Sequence, residues 1–442
     1  MKRICLALPT NRECAGAIER LGAEALEALQ RFPVEIELLV SDTSRGGALA
    51  LNARAARAVP AHRFLRVHHV DATAQRRFLR AAVERAGLED ERAILAALIP
   101  DAVSYGAATN RLFLAAASLG CASVHRRDSD SRYQQFAGRP VHPIVPELRF
   151  LGRPAAQARQ GADAAAPVDA DESCPIFMVG GSYVGELSID LAPMLERDPE
   201  IVHELLALWT PPGMPAPERR RFNERLFLRR EHAPFERDLA RLTTTDADDA
   251  PVDMCNISFH RLHEQVPLPP APATIASDYF LIDLLRALAL PVVQHNRAID
   301  NYYTAERRTP QGGIDYQLRF VRFLLHMSAV HALVASVERE RHAFIDADFR
   351  IVPSRLVAAI ADSADAAREY NPGKLETAQR CLARLGGLHA DAAAIVAARR
   401  AELLAEAECN ITQFARLAAA WPALIAAARR LPLMPRRDEQ FA

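Results

Sequence analysis

Asp128 and Asp130, separated only by Ser129, are the side chains whose spacing most directly suggests chemistry. Two carboxylates so placed can offer oxygens to one hard divalent cation, directly or through water. Such a cation bridges diphosphate oxygens and offsets the charge that develops on a leaving nucleotide. Alone, the Asp-x-Asp spacing is a weak signal. The chain repeats it at Asp169–Asp171, Asp246–Asp248 and Asp346–Asp348, in polar loops or after a helix, where it reads as surface. The 128–130 copy differs in what precedes it. Leu8-Pro9-Thr10-Asn11-Arg12 closes a first apolar run, and Val40-Ser41-Asp42-Thr43-Ser44 closes a second. A helical stretch with Ala107, Asn110 and Arg111 then leads into the aspartates. Asp42, at a strand end, is placed to accept from a base or ribose.

Other groups are weaker candidates. Arg126 and Arg127 stand immediately before the aspartates, and a guanidinium fork suits a diphosphate. Arg297, Arg307 and Arg308 suit a lid over a diphosphate, or an ordinary solvated basic stretch. Gly180-Gly181-Ser182-Tyr183 would let backbone approach a sugar or acceptor, or serve only a tight turn. His260, His263 and Glu264 lack the His-Glu-x-x-His spacing of a zinc protease. Neither a Gly-x-x-x-x-Gly-Lys-Ser/Thr loop nor a Gly-x-Ser-x-Gly elbow occurs, which disfavours P-loop kinases and hydrolases of the elbow type.

The elements that must hold these residues follow from pattern. Ile4–Leu8 is a short buried-strand run, and helical spacing follows through Ile18, Leu21, Ala25 and Leu29. Val34–Val40 and Phe64–Val67 are further strands, with helices around Phe78–Val83 and from Ser104 to Leu119. Alternating strands and helices imply an α/β fold with a mostly parallel sheet, whose ligands sit at the carboxyl ends of the strands. Gly152–Glu172 reads as a mobile loop or linker, and Leu288–Val293 as a strand. From about Gln317 the pattern is helical, with turn signals at Asn371-Pro372-Gly373 and Gly386-Gly387.

Composition bounds the partners. The 442 residues suggest two or three domains at roughly 150 residues each. With 54 basic and 55 acidic side chains, the net charge of −1 argues against nucleic acid as the main partner. Seven scattered cysteines without a CxxC pair fit reduced thiols in the cytoplasm. No unbroken apolar run reaches the roughly 20 residues of a membrane span.

In their order, Pro9-Thr10-Asn11-Arg12, Asp42-Thr43-Ser44, Gly106 with Asn110-Arg111, and Asp128-Ser129-Asp130 resemble GT-A glycosyltransferases, especially glycosyltransferase family 2. The likeness covers about residues 1–135 and continues more loosely through Asn256–Arg261 and Ser277–Leu281. It departs where the first turn lacks a tyrosine, where His125-Arg126-Arg127 replaces an apolar strand end, and where Ser277-Asp278 replaces a Glu-Asp pair. The resemblance implies a GT-A-like domain over 1–316, with a nucleotide half (about 1–150) and an acceptor half (about 173–316). A helical C-terminal region over 317–442 packs on it or on a second subunit.

By that resemblance Asp128 and Asp130 hold Mn²⁺ or Mg²⁺, with His295 as a third ligand or merely hydrogen-bonded at a strand end. Pro9, Thr10 and Asp42 line the nucleoside pocket; Arg12, Asn110, Arg111, Arg127 and Arg297 belong to the donor site. Asp278 is the general base if the reaction inverts, and orients the acceptor if it retains. The partners are then a nucleoside diphosphate sugar and an acceptor that is a small molecule, peptide or glycan. A nucleotidyltransferase of related fold and a non-catalytic binding or scaffold protein are the alternatives.

Overall fold

The computed structural model describes residues 1–165, 171–186, 191–211, 213–224, 234–244, 251–302 and 305–434. Asp169 and the Asp246–Asp248 repeat lie outside these.

Among the described residues twelve strands occur in chain order. They are β1 (Lys2–Thr10), β2 (Val34–Asp42), β3 (Leu65–Val70), β4 (Ser123–Arg127), β5 (Ser131–Tyr133) and β6 (Gln135–Phe136). Next come β7 (Arg139–Pro140), β8 (Ala164–Ala165), β9 (Met178–Gly185), β10 (Ala240–Thr243), β11 (Asn256–His260) and β12 (Val292–Asn301). Ten form one mixed sheet, ordered β3-β2-β1-β4-β11-β9-β12-β10-β8, with β5 paired to β12. β1 runs parallel to β2 and β4, and β2 to β3. β11 is antiparallel to both its neighbours, β4 and β9.

Side-chain alternation on β1 sorts the molecule into two layers. Ile4, Leu6 and Leu8 join Ile18, Leu21, Ala25 and Ile144 on one face. Cys5 and Ala7 join a larger cluster on the other, continuous through Phe113, Phe259, Phe280, Phe320, Leu375 and Trp421. Pro9 falls inside β1 rather than ending it. β4 pairs only as far as Ala7, so beyond that residue β1 has no bond to make on that side and tolerates a residue without an N–H.

The C-terminal chain is helical, as expected, from Pro310 onward. Its last helix, Arg400–Ala428, packs across the helices Ala72–Ala86, Glu91–Leu98 and Tyr105–Ser118. Trp421 Nε1 donates to the His263 carbonyl at 3.1 Å, and Ser118 Oγ to that of Leu431 at 2.6 Å. Pro310–Arg339 and Arg400–Ala428 are long and apolar enough to cross a membrane by length and composition alone. A core helix needs the same composition, and 67% and 56% of their apolar windows are buried within the protein.

Three local expectations fail for identifiable reasons. The Gly152–Glu172 stretch carries the helix Ala155–Gly161 and β8, because Ala155 and Ala158 are small enough to bury beside Phe150 and Ile176. Leu288–Pro291 is the exit from the helix Phe280–Ala287, so the strand begins only at Val292. Asn371-Pro372-Gly373 does not break the helix Ala364–Leu385, whose Ala367, Asn371 and Leu375 stay buried against neighbouring helices. Tertiary packing there outweighs the propensity of a proline and a glycine. Gly386 and Gly387 do end it, with φ of +68° and +56°.

Candidate functional site

β2 and β3 lie to one side of β1 and β4 to the other, so the order of the parallel strands reverses between β1 and β4. In open α/β sheets a crevice opens beyond the carboxyl ends at such a point. Arg12 stands just past the end of β1, and Asp128 and Asp130 just past β4. Arg12 reaches across to Asp130 at 3.5 Å, and Arg307 Nη2 contacts the same Oδ2 at 3.3 Å. Arg126 bridges two more carboxylates, with Nη2 3.0 Å from Asp128 Oδ1 and Nη1 2.5 Å from Asp278 Oδ2. The strands thus bring together Arg12, Asp128, Asp130 and Asp278 from widely separated parts of the sequence, with Arg126 and Arg307 between them.

With Asp253 close by, the cluster sets four carboxylates against three guanidiniums. Burial, then the charge of Asp128, holds the Asp130 carboxyl above its ordinary pKa. Burial also raises Asp278, with Arg126 working against it and Asp128 reinforcing it. Asp253 is raised by burial despite donation from Cys255 N–H and the Tyr279 hydroxyl. Asp128 is the most open of the set, its side chain 27% exposed against 4% for Asp278.

Asp278 is delivered by a loop and a helix that interlock. Gly106 has no room for a side chain: a Cβ there would sit 1.9 Å from the Pro269 carbonyl oxygen. Its N–H donates to Ser277 Oγ at 3.2 Å, beside Asp278. Asn110 clamps Leu268 in both directions, donating to its carbonyl at 2.8 Å and accepting from its N–H at 2.7 Å. Ser104 caps the helix by accepting from Ala107 N–H, and its hydroxyl donates to the Pro270 carbonyl. The signature from Gly106 to Asn110 therefore positions the loop bearing Asp278, and Asn110 is spent on that loop.

Asp42 and Thr10 also work inward. Asp42 is fully buried and accepts from Ser44 N–H at 2.8 Å, Asn52 Nδ2 at 3.0 Å and His69 Nε2 at 2.9 Å. Burial alone would raise its pKa, yet these bonds hold it below the ordinary value. Asn52 further donates to the Arg12 carbonyl at 2.9 Å, and Thr10 Oγ1 accepts from Arg12 N–H at 3.2 Å. These bonds fix the turn that presents Arg12, with the half-buried Pro9 at its base. Asp42 thus shapes the pocket rather than lining it.

Three expected donor-site arginines and the histidine lie elsewhere. Alternation along β4 sends Arg126 to one face and Arg127 to the other. Arg127 is 1% exposed and bound to Glu24 and Glu147 at 2.7–3.2 Å. Arg111 donates to Gln75 Oε1 and to the Leu98 carbonyl, both at 3.0 Å. It lines a small cavity with Leu39, Ser41 and Phe78. Arg297 is taken by Asp238, at 2.5 and 2.9 Å, and by the His142 carbonyl at 2.8 Å.

His295 pairs with Gly181 in the sheet, and its charged neighbours are Glu147, Arg127, Arg297 and Asp238. It is Asn301 and Tyr302, further along the strand at about 3.3 Å per residue, that reach the aspartates. Asn301 pairs with Ser131, and Tyr302 N–H donates to the Asp130 carbonyl at 3.3 Å. His295 is thus no ligand partner of Asp128 and Asp130.

Among the described residues no group of three or more His, Cys, Asp or Glu side chains is placed to hold a metal. The pair still fits Mg²⁺ or Mn²⁺ in one specific way. A small hard cation takes one or two carboxylates and completes its shell with phosphate oxygens and water. Burial and then the Asp128 charge disfavour the Asp130 anion, and a bound cation would favour it.

Arg126 and Arg307 were expected only as weaker diphosphate contacts, and Asp253 was not expected at all. Strand alternation was the available signal for Arg126, because only one of two successive arginines can share a face with Asp278. Asp253 precedes β11 with nothing local to mark it.

None of the curated proteins compared matches the chain. A family profile does match, over residues 2–437. That span takes in the sheet, the crevice and the C-terminal helices together, and the chain belongs to the family of unknown function DUF6271.

Proposed function

We propose that the chain is a metal-dependent glycosyltransferase of the GT-A kind, moving a sugar from a nucleoside diphosphate donor to an acceptor. The observation that carries this reading is the crevice between β1 and β4. There Arg12 and the Asp128–Asp130 pair face each other across the point where strand order reverses. A divalent cation, when bound, neutralises the diphosphate leaving group. Asp128 and Asp130 are its holders. Arg12 and Arg307, now resting on Asp130, are the guanidiniums that phosphate oxygens would draw away.

In the transfer the acceptor hydroxyl oxygen bonds to the anomeric carbon, whose bond to the diphosphate oxygen breaks. In an inverting reaction the hydroxyl proton passes to Asp278, whose raised pKa suits a base. In a retaining one Asp278 orients the acceptor. Arg126 fixes the Asp278 carboxylate in either case.

The test is a thermal-denaturation panel of nucleoside diphosphates and sugar nucleotides, with and without Mn²⁺. A ligand at about 100 times its dissociation constant adds roughly 2.7 kcal/mol of apparent stability. The expected result is a Mn²⁺-dependent shift with one nucleotide, lost in Asp128→Asn and Asp130→Asn. No shift across the panel with folded protein sinks the reading. A second reading, a binding protein of the same fold without turnover, draws on the full engagement of both aspartates by arginines. Nucleotide binding without donor hydrolysis or transfer would favour it.

A further inference from the structure

We propose that Arg319, joined to this crevice through Tyr316 and Arg307, is an anion-binding subsite taking a carboxylate or phosphate carried by the acceptor. The assignment to the acceptor rests on the glycosyltransferase reading; the anion site itself does not.

Arg319 stands on the helix Pro310–Arg339, and its guanidinium lies between two aromatic rings. Its Cζ is 5.2 Å from the Tyr105 ring centroid and 5.1 Å from that of Tyr316. Aromatic rings hold a guanidinium through its charge without using its N–H groups, which stay suited to a planar or tetrahedral anion. Nε and Nη2 are both buried and have no hydrogen-bond partner. Nearby Arg12, Arg126 and Arg307 each reach a carboxylate. Arg319 reaches none among the described residues. Buried guanidinium nitrogens without an acceptor are unfavourable unless something supplies one.

Its place connects it to the crevice from two directions. Arg307, in contact with Asp130, has its Cζ 5.0 Å from the centroid of the same Tyr316 ring. Tyr105 precedes Gly106, which is bonded to Ser277 next to Asp278. The contacts therefore close a ring: Asp130, Arg307, Tyr316, Arg319, Tyr105, Gly106, Ser277, Asp278, Arg126 and Asp128. Along this ring Arg319 is joined to Asp130 through Tyr316 and Arg307, and to Asp278 through Tyr105, Gly106 and Ser277. On the glycosyltransferase reading, an acceptor whose hydroxyl meets Asp278 is the ligand whose anionic group Arg319 would take.

Three probes sharing one sugar ring test this: glucose, glucuronate and glucose 6-phosphate. Binding is followed by calorimetry on the full chain, for wild type, R319Q and R319K. We expect at least one charged probe to bind ten-fold or more tighter than glucose, weakening as salt rises. Whichever charged probe binds tighter tells carboxylate from phosphate. R319Q should bring the charged probes down to the level of glucose, and R319K, with charge but no fork, should fall between. R319K carries the test if R319Q does not fold. Equal affinity for charged and neutral probes, or unchanged anion affinity in the variants, overturns the proposal. Mn²⁺-dependent nucleotide binding is measured alongside. Its loss with anion binding intact overturns the acceptor assignment through the parent reading, and leaves the site.

Discussion

Arg126 and Arg127 are adjacent on one strand, yet their surroundings are opposites. Arg127 points into a closed knot. Both carboxylates, Glu24 and Glu147, are fully buried, and each makes further bonds. Glu147 meets His125 Nδ1 at 2.7 Å, while Glu24 accepts from Ile144 N–H at 2.9 Å and from the Tyr133 hydroxyl. Arg126 points into a cluster where carboxylates outnumber what it can satisfy, and which opens to solvent at Asp128. A network with every lone pair used has nothing left for a ligand, and one that is crowded and partly open has. Chemical type alone does not separate structural from functional arginines; the balance of partners does.

The sharpest way to break this contrast is to remove a member of the closed knot. Arg127→Met strands two buried carboxylates and should cost about 3–5 kcal/mol in urea unfolding. Arg126→Met should cost distinctly less, because the Asp128 side of its cluster can reach water. Equal losses would mean that the two networks are energetically alike.

Acid titration comes next. Burial would raise the Glu147 pKa, but Arg127 and His125 draw it down to about 2. A carboxylate lowered on folding adds stability above its unfolded value of 4.5, and that stability drains away as pH falls toward 2. The contribution is roughly 3 kcal/mol. Glu147→Gln should therefore flatten the acid limb of the stability curve. Asp130 and Asp278 act in the reverse sense. Their raised pKa values favour the folded state at low pH, and that benefit is lost as pH rises through them.

Gly106→Ala probes the link between loop and site. The added methyl would meet the Pro269 carbonyl, so the loop must shift, at about 1–3 kcal/mol. Thermal unfolding reads the loss, and weakened anion or nucleotide binding reads the displacement of Asp278.

The smallest effect on stability belongs to Asp130→Asn. Removing charge from the crowded end should leave the melting temperature unchanged or slightly higher at neutral pH, while Mn²⁺-dependent nucleotide binding disappears. A clear loss of stability would instead make Asp130 a structural partner of Arg12 and Arg307.

The alternation of strands and helices in the first 125 residues was legible because period-2 and period-3.6 patterns are local. So was the grouping of Arg12 with Asp128 and Asp130, since strand ends in a parallel sheet share one edge. The faces were harder to read. Asp42 and Arg127 have the residue types of ligands but are consumed by Asn52, His69, Glu24 and Glu147, which lie on other elements. His295 was misplaced for a related reason: its distance from the aspartates depends on strand register, which no local pattern reveals. Arg319 is marked only by what it lacks, and that becomes visible once its neighbours are known.

The helix Arg400–Ala428 has a consequence for how the chain reaches this state. It covers the helices Ala72–Ala86, Glu91–Leu98 and Tyr105–Ser118, which form early in the sequence. During synthesis at about 5–20 residues per second, those helices wait roughly 15–55 s for their cover. Until then the apolar flank that this helix covers stays open to other proteins. The N-terminal sheet is thus among the first parts made and among the last to be sealed, and a ribosome stalled before residue 400 would release a sticky, chaperone-dependent chain.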